Sequence, residues 1–301
     1  MRRIAVLLMA LSALDAAAQT IRLETMALAV KYRDGRFLAL EPRNKLALIE
    51  KDGRVAARFD LAQKLAGVRR YEVLDFAQLA GGRVVVSAYT VRGLGVAGPV
   101  ALLFDPATPE QPPEMRDLSA VRCQRIEGAA EGGFWCLDSF EERIRLHHFG
   151  NGDFQTILVP ENDLPAPGIW MGEVRLAAPS PRSIYVWLPS RGSLIRLSRD
   201  QEKGNRWVIQ VQGSGKASTS FAVDESGRVT SMLPLRKPPG FTEQLDTRYG
   251  LFRLDFARGG WTRVAGTRDF PRGSVLSGAD EDGVWIWDRA GKTIERVPIP
   301  N

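Results

Sequence analysis

The chain has 301 residues, 44% hydrophobic and 25% charged, with a formal net charge of +6 and two cysteines. This composition supports a sizeable apolar core. It excludes a disordered chain, a collagen-like repeat and a disulfide-dense miniprotein. Past the N-terminus no run approaches the roughly 18 apolar residues a helical span needs, so the chain is not expected to span a membrane.

The N-terminus reads as a secretory leader. Met1-Arg2-Arg3 is basic, Ile4 to Leu14 is apolar but too short to cross a bilayer, and Ala16-Ala17-Ala18 supplies small residues ahead of Gln19. Residues 1–18 are therefore expected to be a signal peptide, and residues 19–301 a single domain outside the cytoplasm, secreted or periplasmic. A buried N-terminal helix is the competing reading, and Asp15 is the residue that fits the leader least well. No cysteine sits at the expected cleavage point, where Gln19 stands, which argues against a lipid anchor. The densest basic stretch, Arg191 to Arg206, is broken by Asp200 and Glu202. It reads as a solvated strand face rather than a nucleic-acid surface.

Downstream, a unit of about 50 residues recurs. Each unit holds an apolar strand, a tight turn, a second apolar strand and then one or two more. The turns fall at Asp34-Gly35, Gly81-Gly82, Gly132-Gly133, Pro181-Arg182-Ser183, Glu225-Ser226-Gly227 and Asp282-Gly283. β-rich runs follow them, among them Phe37 to Leu40, Phe134 to Leu137, Ile184 to Trp187 and Val284 to Trp287. The expected fold is all-β, a six-bladed β-propeller, with about 47 residues per blade. A seven-bladed ring is the alternative, because some outer strands are ambiguous by period alone.

The last unit, Val275 to Pro298, is one strand short, and Ile21 to Met26 is strand-like and unassigned. The mature N-terminal strand is therefore expected to close the last blade and remove an open sheet edge. Cys123 and Cys136 flank the turn of the third unit. Symmetric pairing sets Ile126 opposite Gly133 and Cys123 opposite Cys136, close enough for a disulfide. Two buried free thiols are the alternative.

The stretches Tyr32 to Leu40, Leu46 to Val55 and Phe221 to Val229 resemble the repeat of bacterial NHL-like, six-bladed propellers. The likeness covers the mature chain at the level of repeat rhythm. It implies a superfamily holding binding modules, calcium-dependent lactonases and lyases, and it carries no ligand set over residue by residue.

Three long connections, Thr90 to Gly98, Pro160 to Gly172 and Pro234 to Gly250, are expected around one mouth of the central channel. Long loops on rigid scaffolds often carry function. They give an expected ligand-binding rim of Arg92, Trp170, Met171, Arg236, Lys237 and Phe241. Tolerated insertion is the alternative. The Trp pairs Trp135/Trp187 and Trp285/Trp287 read as packing between blades rather than a sugar-stacking platform.

Catalytic signals are sparse. His147 and His148 are adjacent and so point to opposite faces of a strand, with no nucleophile visibly paired. Gly213-Ser214-Gly215-Lys216 is only half of a phosphate loop and reads as a turn. Asp224 and Asp280 fit Asx-turns. A metal site would need several convergent oxygen ligands, and Glu24, Asp75 and Glu173 are the candidates under that reading. The expectation is a non-catalytic binding or scaffold module of the cell envelope, a monomer without cofactor, engaging an unknown protein or envelope ligand. The alternative is a calcium-dependent, lactonase-like hydrolase with its metal in the channel.

Overall fold

The computed structural model describes residues 19–64, 70–91, 97–118, 121, 123–140, 143–150, 154–158, 174–188, 193–200, 202, 206–213, 220–235, 248–256 and 258–299. Tight turns between apolar runs fold each unit into an antiparallel four-stranded sheet, and there are six such sheets. After β1 (Thr20–Arg22), the first blade comprises β2 (Ala29–Arg33), β3 (Arg36–Glu41), β4 (Lys45–Glu50) and β5 (Val55–Asp60). The second comprises β6 (Arg70–Gln78), β7 (Val84–Val91), β8 (Ala97–Phe104) and β9 (Glu114–Asp117). The third holds β10 (Arg125–Gly128), β11 (Phe134–Phe140), β12 (Arg143–Phe149) and β13 (Phe154–Leu158). The fourth runs β14 (Arg175–Ser180), β15 (Ser183–Leu188), β16 (Ser193–Asp200) and β17 (Arg206–Gly213). The fifth runs β18 (Phe221–Val223), β19 (Val229–Pro234), β20 (Tyr249–Asp255) and β21 (Gly260–Arg263). The sixth is β22 (Ser274–Asp280), β23 (Gly283–Asp288) and β24 (Thr293–Pro298), completed by β1. The ring is a six-bladed β-propeller, which decides the blade count against seven.

Each second strand lies between two neighbouring blades, so both of its faces are covered. It therefore reads as a continuous apolar run instead of an alternating one. All six residues of β15 are buried. Trp135, Trp187 and Trp285 are almost wholly enclosed, as expected of inter-blade packing. Trp285 meets Phe37 of the first blade edge-on at 4.9 Å, and Trp187 meets Trp261 of the fifth at 5.8 Å. Gly128 permits the close approach of the third blade to the second, since a Cβ there would sit 2.0 Å from the Gln78 carbonyl oxygen.

Ring closure follows the sequence expectation but with a shorter strand. β1 pairs antiparallel with β24, Thr20 opposite Glu295 and Arg22 opposite Thr293. The Leu23 amide donates to the Lys292 carbonyl at 2.8 Å, and then the chain leaves the sheet. The strand stops at Arg22, not Met26, because the following segment bends across the seam between the sixth and first blades. There Ile21, Leu23 and Ala27 are buried among Phe37, Ala47 and Trp287.

Cys123 and Cys136 form a disulfide with a Cα–Cα distance of 5.3 Å. The register differs from the symmetric one. Ile126 lies opposite Cys136, not Gly133, and Cys123 precedes β10 instead of standing in the ladder. The cause is the turn. The Ala129 amide donates to the Gly133 carbonyl and the Gly132 amide to the Ala129 carbonyl, so Gly128–Phe134 is the last strand pair. Gly132 and Gly133 take φ of 102° and 75°, left-handed values that glycine adopts without strain. The bridge closes a loop with a sequence separation of 13. Replacing both cysteines by serine is expected to cost about 3 kcal/mol, readable as a lower denaturant midpoint. A variant as stable as the oxidised parent would show the link to be energetically idle.

Candidate ligand-binding channel

The inner strands β2, β6, β10, β14, β18 and β22 surround a central cavity of about 760 Å³. Register defines its two ends. Ala29 pairs with Leu40, Arg125 with Leu137, and Phe221 with Ser231. The starts of the inner strands and the ends of the second strands therefore share one mouth. The strand ends that flank residues 92–96, 159–173 and 236–247 all lie at this mouth. The far mouth carries the hairpin turns, including Asp34 and Glu225.

β-bulges shape three of the channel-lining strands. The register shifts between Val73 and Asp75, between Ala177 and Ser180, and between Leu276 and Gly278. An extra residue in a strand re-aims its neighbours. Leu74 and Ser277, the residues gained in β6 and β22, both line the cavity.

One sector of the wall is charged. Lys31 Nζ lies 3.0 Å from Asp75 Oδ1 and 3.7 Å from Glu127 Oε2, and it donates to the Ile126 carbonyl at 3.0 Å. Arg33 Nη1 lies 3.6 Å from Glu127 Oε1. The Ile126 amide donates to Asp75 Oδ2 at 3.0 Å. This network ties the first three blades together, and its ammonium group sits between two carboxylates. Toward the loop-side mouth, Arg125 Nε donates to the Val174 carbonyl at 2.9 Å, and Arg175 Nη1 donates to the same oxygen at 3.1 Å. In the opposite sector, from the fourth to the sixth blade, small and apolar residues such as Ala177, Val223, Val275 and Ala279 line the wall, with Arg175, Glu225 and Arg289 as its charged members.

Burial pushes the Glu127 carboxyl above its ordinary value of 4.5; Asp75 adds to the rise, while Lys31 and Arg33 oppose it. A carboxyl raised in the folded state holds its proton more tightly there than in the unfolded chain. Its contribution to stability is present below the unfolded value and lost as pH rises through the folded one. Glu127→Gln is therefore expected to flatten the fall in unfolding midpoint as pH rises above about 4.5. Parallel pH profiles for parent and variant would contradict this.

The sequence-derived candidates fall in different places. Arg92, Trp170, Met171, Arg236, Lys237, Phe241 and Glu173 lie outside the described residues. Asp75 is in the channel. Glu24 is on the segment after β1, with Arg58 Nη2 of β5 3.4 Å from its Oε2. Glu24 and Asp75 thus do not share a site, and no group of three metal-ligating side chains occurs among the described residues. Asp280 accepts the amide of Asp282, two residues on, at 3.3 Å, as an Asx-turn does, whereas Asp224 accepts that of Arg228, four residues on, at 2.9 Å. Asp280 also pairs with Arg296 at 2.9 Å and accepts from Trp285 Nε1 at 3.1 Å.

His147 differs from expectation in having a hydroxyl partner, since its Nδ1 lies 3.0 Å from Thr156 Oγ1. Asp138 Oδ2 is 3.8 Å from Nε2, too far for a hydrogen bond. The three residues resemble an acid–base–hydroxyl series, but they lie away from the channel cavity. His147 joins the two outermost strands of its blade through this contact.

Lys31, Arg33, Arg125 and Arg175 are the channel residues that the sequence does not single out; Glu127 is legible there only as an acidic residue near an inner strand. The available signal was a charged residue in the first strand of successive units.

No protein-family model matches the chain, and no curated protein matches its sequence. Solved structures do. The WD40 repeats of RRP9 superpose with a TM-score of 0.55 at 11% identity, covering 94% of this chain and 97% of that one. An auxiliary nutrient binding protein from Bacteroides thetaiotaomicron gives 0.52 at 12% identity, over 91% of this chain and 69% of that chain. A chain of a mitotic checkpoint complex gives 0.52 at 8% identity, over 94% of each chain. At such identities the likeness establishes the propeller fold, and function is argued from the site.

Proposed function

We propose that this propeller is a non-catalytic binding module working outside the cytoplasm, delivered by the leader at residues 1–18 and taking its ligand at the loop-side mouth of the channel. The observation that carries this reading is the cavity of about 760 Å³ opening where the long connections enter and leave the ring. Its size falls within the roughly 300–1,000 Å³ of small-molecule sites, and such sites join an apolar lining to a few placed polar groups. The Cys123–Cys136 disulfide supports an oxidising compartment. The propeller fold shared with an auxiliary nutrient binding protein agrees with a soluble-ligand receptor. We place the chain with the NHL-like propellers on its repeat rhythm. The loop residues Arg92, Trp170, Met171, Arg236, Lys237 and Phe241 form the outer rim in this reading, and the protein acts as a monomer.

The competing function is a calcium-dependent hydrolase, and it would have to be built through Asp75. The test is a thermal-shift panel of sugars, amino acids and organic acids on residues 19–301, repeated after residues 92–96 and 236–247 are replaced by Gly-Ser. At least one class should raise the midpoint of the parent and lose most of that effect in the loop variant. Retention of the full shift in the loop variant would contradict a ligand held at this mouth.

A further inference from the structure

The two carboxylates beside Lys31 are held differently. Asp75 is hydrogen-bonded, accepting from Lys31 Nζ at 3.1 Å and from the Ile126 amide at 3.0 Å. Glu127 lines the cavity with its side chain 18% exposed. Its Oε2 lies 3.7 Å from Lys31 Nζ, and its Oε1 lies 3.6 Å from Arg33 Nη1. Both separations are longer than a hydrogen bond. Each Glu127 oxygen therefore stands beside a cation, near enough to feel its charge and too far to bond it directly. An enclosed carboxylate normally accepts hydrogen bonds, from protein, water or ligand.

The two gaps fit one kind of group. A hydroxyl is donor and acceptor on a single oxygen. Placed about 2.7–2.9 Å from a carboxylate oxygen and from a cationic nitrogen, it bridges such a gap in a bent arrangement. Two gaps on one carboxylate suit two neighbouring hydroxyls, one between Oε1 and Arg33, the other between Oε2 and Lys31. Both cations have hydrogens for this. Lys31 directs two of its three at Asp75 and the Ile126 carbonyl, and Arg33 Nη1 directs one of its two at the Gly128 carbonyl.

The charge of the sector sets the charge of the ligand. Lys31 and Arg33 balance Asp75 and Glu127, and Asp34 is an exposed carboxylate beside Arg33 at the far mouth. An ammonium brought to Glu127 meets Lys31 and Arg33. An anion brought to those cations meets Glu127 and Asp75. A neutral ligand meets neither repulsion. Across the channel, Val223, Val275 and Ala279 offer an apolar wall for the C–H face of a ring. Glu127 is two residues along β10 from Arg125, which opens that strand at the loop-side mouth. At about 3.4 Å per residue it lies about 7 Å inside, within reach of a ligand entering there.

We propose that the channel binds a neutral vicinal diol of the sugar class, held by Glu127 between Lys31 and Arg33, an inference that rests on the channel being the ligand site.

Calorimetric titration of residues 19–301 tests this with D-glucose, D-galactose and D-mannose, each beside its amino sugar and its uronic acid. Tetrahydropyran, the ring without the hydroxyls, is the further comparator. At least one neutral sugar is expected to bind, with its charged counterparts and tetrahydropyran weaker by about tenfold or more. Glu127→Gln keeps the length of the side chain and removes one acceptor oxygen. It is expected to weaken that sugar about tenfold, equivalent to about 1.4 kcal/mol. Glu127→Asp keeps the charge between Lys31 and Arg33 but draws the oxygens back, and the same loss is expected should Glu127→Gln fold poorly. No binding of any neutral sugar would overturn the proposal. So would a charged counterpart that binds as tightly, or affinity unchanged in a folded Glu127 variant. In those cases a loop-dependent shift with amino acids or organic acids would leave the binding-module reading standing, and only the ligand assignment would fall. Glu127-dependent sugar binding that persists in the loop variant would instead keep the diol site and remove the loops from it.

Discussion

Deletion of residues 19–28 is expected to lower the unfolding midpoint by about 10 °C or more. These residues supply the outermost strand of the sixth blade, through pairs such as Thr20–Glu295 and Ile21–Ile294. They also bury Ile21, Leu23 and Ala27 in the seam with the first blade. Two large aliphatic side chains are worth about 2–3 kcal/mol each in burial, and 1 kcal/mol moves the midpoint of a large domain by about 2–4 °C. The deletion further uncovers the edge of β24, whose unpaired backbone would invite association between molecules. Should the truncated chain fail to fold, Ile21→Ala keeps the strand and isolates the packing term, with an expected cost of about 2–4 kcal/mol. A truncated protein that melts like the parent would show that the ring is held without its N-terminal strap.

The second large effect is expected at Lys31. Its ammonium lies between Asp75 and Glu127 and also bonds the Ile126 carbonyl, so it joins the inner strands of the first, second and third blades. Lys31→Met keeps the aliphatic stem and removes the charge. Two carboxylates then face each other across the channel wall, with Arg33 remaining beside Glu127 alone. Removing one partner of an enclosed charge network is typically strongly destabilising. Lys31 retains 30% of its side-chain exposure, so solvent softens the effect, and about 2–4 kcal/mol is expected at neutral pH. The loss should shrink on acidification, because protonating Glu127 relieves the repulsion. It should also be partly rescued in Lys31→Met/Glu127→Gln, where one of the stranded charges is gone. A pH-independent loss without rescue would mean that Lys31 acts through packing alone.

These two elements also show what could be read from the chain. Blade rhythm was legible because each hairpin is local: a tight turn and the apolar runs beside it lie within about 15 residues. Closure by the N-terminus was legible because the last unit lacked a strand and Ile21 to Met26 was left over. The length of that strand was not, since its end is set by the seam that Leu23 and Ala27 drop into, a contact between blades. The cysteine pairing was legible, but its register was not. Symmetric counting centres the turn between Ala129 and Ala130, whereas the turn with left-handed Gly132 and Gly133 is centred on Glu131 and leaves Gly128–Phe134 as the last pair. The channel network was the least legible part. Lys31 and Asp75 are 44 residues apart and Lys31 and Ile126 are 95 apart. No periodicity brings them together; the docking of one blade on the next does. Bulges at Val73/Asp75 and Leu276/Gly278 then change which side chains reach the cavity.

In this account the channel is a binding site built from side chains, with the Lys31 ammonium paired to Asp75, the channel carboxylate that a calcium-dependent hydrolase would have to recruit. Thermal unfolding of residues 19–301 with the disulfide oxidised, across calcium and other divalent metals, with and without chelator, tests that most directly. The account predicts one midpoint under all conditions. Stabilisation by calcium at low concentration, reversed by chelator and lost in Asp75→Asn, would contradict it and establish a metal in the channel.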